Sequence, residues 1–133
     1  MERDMDLIRE ILLFAEKHCD GSEFLVLEPS KLSEQYHALE DIVLNEHIAL
    51  TKERGLIESH HASNGSTIRR LTWDGHEFLD NSRTPEVWNA AKAAAGHLSF
   101  GVFGSVLNHL AINHGLSLLK SGFDAALSGL GGS

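Results

Sequence analysis

Gly55-Leu56-Ile57-Glu58-Ser59-His60, then Asn64-Gly65, then Thr67-Ile68-Arg69-Arg70-Leu71-Thr72, decide the fold of this chain. Gly55 lets the chain leave a preceding helix, and Leu56 and Ile57 pin the extended segment that follows onto a core. Asn-Gly is the strongest short signal for a hairpin turn, so residues 56–60 and 67–71 read as the two strands of a ribbon. Thr72 is placed to cap a helix over Trp73–Asn81.

Upstream, Glu40 to Arg54 reads as a helix. Leu44, Ile48 and Thr51 share one face, with Val43 and His47 beside them. Before it lie a weak helix at Lys31–Tyr36, opened by Pro29, and an apolar strand at Phe24–Leu27. The chain starts with a helix from Asp4 to Lys17, whose Met5, Ile8, Ile11, Leu12 and Ala15 recur at steps of three and four. Downstream, Pro85 opens a helix at Glu86–Ala95. Helix, short strand, weak helix, long helix, hairpin, helix is the order of a winged helix-turn-helix. The expected class is therefore mainly α with a small β-hairpin (α+β). The expected domains are a winged-helix core over 1–83, a helical extension for packing or oligomerisation over 84–127, and a flexible tail over 128–133.

The chain has 133 residues, 42% of them hydrophobic, which suits a folded domain with an appendage. The one cysteine, Cys19, excludes a disulfide within the chain. The charged opening Met1-Glu2-Arg3-Asp4-Met5-Asp6 has no apolar signal region, so a cytoplasmic protein is expected. The formal net charge of −8 runs against nucleic-acid binding, whose affinity comes largely from neutralising phosphate.

Several stretches resemble a family of bacterial and phage-borne proteins called domain of unknown function 2513. They are Arg3 to Leu12, Glu46-His47-Ile48, Glu53-Arg54-Gly55-Leu56-Ile57-Glu58, and Arg70 to Asp80 with Val87-Trp88-Asn89 beyond. The resemblance implies a winged-helix-like fold and brings no catalytic residues. Thr51 stands where that family prefers an aliphatic residue, and Glu28–Leu39 is longer than usual.

In such a fold the exposed face of the Glu40–Arg54 helix enters the major groove. That face offers Asn45, Glu46, Ala49, Lys52 and Glu53, and the wing offers Ser63, Asn64, Ser66, Arg69 and Arg70. Asn45, Lys52, Arg69 and Arg70 are the candidate contacts to double-stranded DNA. A small regulatory DNA-binding protein is the first reading. The alternative is an acidic protein–protein interaction module that keeps the fold without binding DNA.

No enzyme, cofactor, metal or small-molecule substrate is expected. The nine histidines are scattered: His60 and His61 would point to opposite faces of a strand, and His109 and His114 are badly spaced for joint ligation. His18-Cys19 lacks an orienting acid. Trp73 and Trp88 read as core, with His76 capping the same core as Trp73. Ala93 to Leu119 contains no Asp, Glu, Lys or Arg, but Asn108, His109, Asn113 and His114 are costly in lipid, so no membrane span is expected. Phe103, Val106, Leu107, Leu110 and Leu118 form an apolar stripe opposite Ser105, Asn108, His109, Asn113 and Ser117. That stripe is the candidate homodimer or partner interface.

Overall fold

The computed structural model describes residues 2–62 and 65–131, and the side chains of 2–61 and 65–122. The elements are α1 (Met5–His18), β1 (Leu25–Val26), two 3-10 turns (Pro29–Lys31 and Glu34–Tyr36), α2 (Asp41–Glu53), β2 (Ile57–Ala62), β3 (Gly65–Leu71), α3 (Trp73–Asn81), α4 (Pro85–Ala95) and α5 (Phe100–Gly131). The class is α+β, mostly helix with one small antiparallel sheet. The chain divides into two compact units, residues 1–80 and 81–133.

In the first unit the ribbon forms as its sequence predicts. Ile57 pairs with Leu71, Glu58 with Arg70, Ser59 with Ile68, His60 with Thr67 and His61 with Ser66, with a bulge that leaves Arg69 over. The sheet has a third strand: β1 lies antiparallel to β3, giving the order β1-β3-β2. Only Leu25 and Val26 of the expected Phe24–Leu27 strand join the ladder. Asn64, the first residue of the expected turn, and Ser63 lie outside the described residues, while Gly65 takes φ +120.

Helices α1 and α2 pack against each other and on the sheet. Leu7, Ile8, Ile11, Leu12, Leu44, Ile48, Leu56, Ile57, Ile68 and Leu71 form the core. Each such side chain contributes roughly 1.5–3 kcal/mol by leaving water.

The end of α2 explains the Gly-Leu-Ile exit. Gly55 has φ +77. Its N–H donates to the Lys52 carbonyl at 2.8 Å, and the Leu56 N–H donates to the Thr51 carbonyl at 3.2 Å, which is a Schellman closure. Thr72 then ties the far end of the ribbon to this exit. Its N–H donates to the Leu56 carbonyl (3.0 Å), its hydroxyl donates to the Gly55 carbonyl (2.5 Å), and the same oxygen caps α3 by accepting from Gly75 N (3.1 Å). Gly75 is required by contact, since a Cβ there would collide with the Leu56 carbonyl oxygen.

Thr51 and His47, both buried polar residues, are satisfied. The Thr51 hydroxyl donates to the His47 carbonyl one turn back (2.7 Å), so its burial leaves no donor unmet. His47 Nε2 accepts from Asp4 N (2.9 Å), so its proton sits on Nδ1, facing the Val43 carbonyl (2.8 Å). Asp4 caps α1 through Leu7 N (3.1 Å) and accepts from the Tyr36 hydroxyl (3.0 Å). Burial first, and the Asp4 carboxylate second, push the Tyr36 phenol far above its ordinary value.

Three expectations need correction. The Lys31–Tyr36 helix is replaced by two 3-10 turns, because Leu32 and Ser33 between them are extended; Leu32 and Tyr36 still turn inward. The element before α2 is therefore not the first helix of a helix-turn-helix pair. Trp73 is 77% exposed rather than core. Gly75, Phe78 and Leu79 set the buried face of α3, and Trp73 lies about 200° around the helix from Gly75. Its ring N–H donates to Glu77 (2.9 Å). His76 is likewise exposed and caps no core.

In the second unit α4 packs on α5. Trp88 is buried as expected and meets Phe103 edge-on, with ring centroids 5.5 Å apart. The α5 backbone is helical through Gly131. Gly132 and Ser133 lie outside the described residues. Among the described residues, no helix is long and apolar enough to cross a membrane.

The Thr72 junction gives a direct test. Thr72→Val keeps the shape but removes both hydroxyl bonds, and should cost about 1–2 kcal/mol in urea unfolding. Thr72→Ser should cost much less.

Candidate functional site: a groove along α2

Two cavities lie along α2 and share Asn45. The first, about 320 Å³, is lined by Val26, Leu27, Glu28, Asp41, Leu44, Asn45 and Gly65. The second, about 370 Å³, is lined by Asn45, Ile48, Ala49, Lys52, Glu53, Ser59, His61 and Ser66. Together they make one groove between the outer side of α2 and the sheet. Its first end carries two carboxylates, Glu28 and Asp41. Its middle is aliphatic, and its other end carries Lys52, Glu53 and His61.

The strand period decides which hairpin residues face this groove. Ser59 and His61 line it; Glu58 and His60, one residue out of phase, face the other way. His61 and Ser66 are cross-strand neighbours, with Nδ1 and Oγ 3.4 Å apart. The opposite orientation of His60 and His61, read from the sequence, is what the ribbon shows.

Asn45 and Lys52 thus meet the hairpin, but Arg69 and Arg70 do not join them. Arg70 binds Glu58 at 2.6 Å, and Arg69 lies 3.7 Å from the other Glu58 oxygen. Arg69 also donates to the Gly21 carbonyl (2.7 Å) and sits over the Phe24 ring, 5.9 Å from its centroid; that ring in turn meets His60. The four candidate DNA contacts therefore divide between the groove and a cluster around Glu58. Sequence reading missed Glu58 as the acid that holds both arginines. The signal was its cross-strand register with Arg70, which becomes visible once the hairpin is aligned.

A third cavity, about 310 Å³, brings together Ala15, Glu16, Cys19, Asp20, Arg70, Leu71 and His76. Burial, and then Asp20, push the Cys19 thiol above its ordinary value, and the thiol donates to the Ile68 carbonyl (3.5 Å). This is the reverse of what a thiolate nucleophile needs. Among the described residues no three His, Cys, Asp or Glu converge to hold a metal ion.

The expected partner stripe on α5 is also divided. Phe103 and Leu107 are buried within the chain, Val106 and Leu110 are half-buried, and Leu118 is exposed. Phe103 is spent on Trp88. Val102, Ile112, Leu116 and Leu119, which the sequence reading left out, are exposed.

The hydrogen bond from Arg70, with the charges of Arg70 and Arg69, holds the Glu58 carboxyl below its ordinary 4.5. A depressed carboxyl contributes stability above its unfolded value and loses it as pH falls through the folded one. An NMR titration should place the Glu58 midpoint below 4.5 in the native chain, and Arg70→Gln should return it towards that value.

The family model described as "Hypothetical protein (DUF2513)" matches residues 2–100, so α5 lies almost wholly outside the match. A Haemophilus influenzae protein described as "Uncharacterized protein" is 34% identical over 96 residues, covering 69% of this chain and 76% of its own length. No solved structure matches. The match over residues 2–100, carried by α1, α2, the ribbon, α3 and α4, means that the chain belongs to the family of domain of unknown function 2513.

Proposed function

We propose that residues 1–80 form a protein-binding module of regulatory type. The groove along α2 takes an extended segment of a partner protein, with a basic residue at the Glu28–Asp41 end and an aliphatic residue over Ile48 and Ala49. The observation that carries this reading is the placement of charge. Arg69 and Arg70 are held by Glu58 away from the groove, while Glu28, Asp41 and Glu53 line it against one lysine, Lys52. A phosphate backbone is repelled by such a surface, and a cationic side chain is attracted. The exposed Ile42 beside Asp41 adds apolar surface at the same end.

Duplex DNA is the second reading. It is favoured by Asn45 and Lys52, which both line the groove beside the hairpin. One lysine is a small electrostatic footprint for a duplex, since each neutralised phosphate contributes separately to affinity.

The two readings separate in solution. From Asp41 to Ile48 is about 10 Å along the helix, which an extended peptide spans in three residues. An acetylated peptide with Arg and Leu three positions apart should shift the amides of Asp41, Asn45, Ala49 and Ser66 at about millimolar concentration. Asp41→Asn should weaken that binding about fivefold. A fluorescent duplex of about 20 base pairs should not bind at low salt. The DNA reading takes over if the duplex binds with steep salt dependence while the peptide leaves those amides unmoved.

A further inference from the structure

Trp73 is 77% exposed at the start of α3, whereas Trp88 is 4% exposed. An indole is a large apolar surface, and one left in water forgoes the burial that an indole usually supplies. The start of α3 does not require it. Thr72 supplies the cap, and Gly75, Phe78 and Leu79 supply the buried face.

The ring is nevertheless held in place. Its N–H donates to a Glu77 oxygen at 2.9 Å, one turn further along the helix. Asp74 and Glu77 are three residues apart, which makes them neighbours on the helix surface. The indole and two carboxylates thus form one patch, and all three side chains are exposed. Asp74 also suits the positive end of the helix, but Glu77, beyond the first turn, has no such use. Among the described residues no lysine or arginine pairs with either acid; the two ion pairs both go to Glu58.

The chemistry of the patch selects its occupant. An apolar surface would strip water from two carboxylates and return nothing. A nucleic-acid base could stack on the ring, but the same carboxylates repel its phosphates. A guanidinium meets both demands. It is flat and cationic, so it stacks on the indole face, and its N–H groups lie in the plane where a carboxylate at the ring edge accepts them. Residues 81–133 hold Arg83, Lys92 and Lys120 against Glu86 and Asp124, so the acidic excess of the chain sits in residues 1–80. A cationic partner is therefore drawn to the unit that carries Trp73.

We propose that Trp73, Glu77 and Asp74 bind an arginine side chain of a partner protein, with the guanidinium stacked on the indole and bonded to Glu77. The patch shares no residue with the groove along α2 and does not depend on it.

N-acetyl-arginine amide, titrated into the full chain at fixed ionic strength, tests this through the indole N–H signals in NMR. The Trp73 signal and the Glu77 amide should move and saturate, with a dissociation constant on the order of 10–100 mM for so small a contact. The Trp88 signal should stay in place. N-acetyl-citrulline amide has the same flat end without the charge, and should bind at least about fivefold more weakly. Glu77→Gln keeps an acceptor for the indole N–H but loses the charge, and should weaken the arginine probe about threefold. The proposal is overturned if the Trp73 signal does not move up to about 200 mM probe. It is equally overturned if arginine and citrulline bind alike, or if Glu77→Gln leaves the affinity unchanged.

Discussion

The pairing of Ile57 with Leu71 is the constraint on which the first unit rests. Both side chains are buried, and they close the ribbon at the end where α2 stops and α3 starts. Three local devices serve that closure: the left-handed Gly55, the Thr72 hydroxyl shared between the Gly55 carbonyl and Gly75 N, and the bare Cα of Gly75 against Leu56. Since side chains alternate along the ribbon, fixing Ile57 inward also sends Ser59 and His61 to the α2 groove and Glu58 and His60 to the other face. The register of one apolar pair thus determines what the groove presents.

Electrostatics follow from the same register. Glu58 stands opposite Arg70, and the bulge brings Arg69 to the same carboxylate, so one acid holds both hairpin arginines. The groove keeps Glu28, Asp41 and Glu53 with Lys52. Composition alone shows an acidic chain. The structure shows that the cations which could have offset this locally are engaged elsewhere, and this moves the functional reading from nucleic acid towards a protein partner.

Much of the fold was legible because local chemistry and global packing agree there. Gly55-Leu56-Ile57 marked the exit of α2, Thr72 marked the start of α3, and the three-four spacing of α1 marked its buried face. The illegible parts depend on contacts distant in sequence. The first strand is too short to announce that it joins β3. Trp73 is apolar and heads a helix, but the contact of Gly75 with Leu56 turns it outward. On α5, Phe103 and Leu107 formed a visible stripe, yet both are buried within the chain, Phe103 against Trp88. Of the candidate residues, Asn45 and Lys52 lie on α2 beside the hairpin and Arg69 and Arg70 on β3, and what the sequence did not reveal is that Glu58 engages both arginines, since nothing local reveals the partner of an arginine.

Native-state hydrogen exchange across residues 40–72 tests the central claim most directly. If the Ile57–Leu71 closure holds α2 and the ribbon together, the slow amides of Leu44, Ile48, Ile57, Ile68 and Leu71 open in one shared event with a common free energy. Slow exchange in α2 accompanied by loop-like exchange at Ile57 and Leu71 would contradict it.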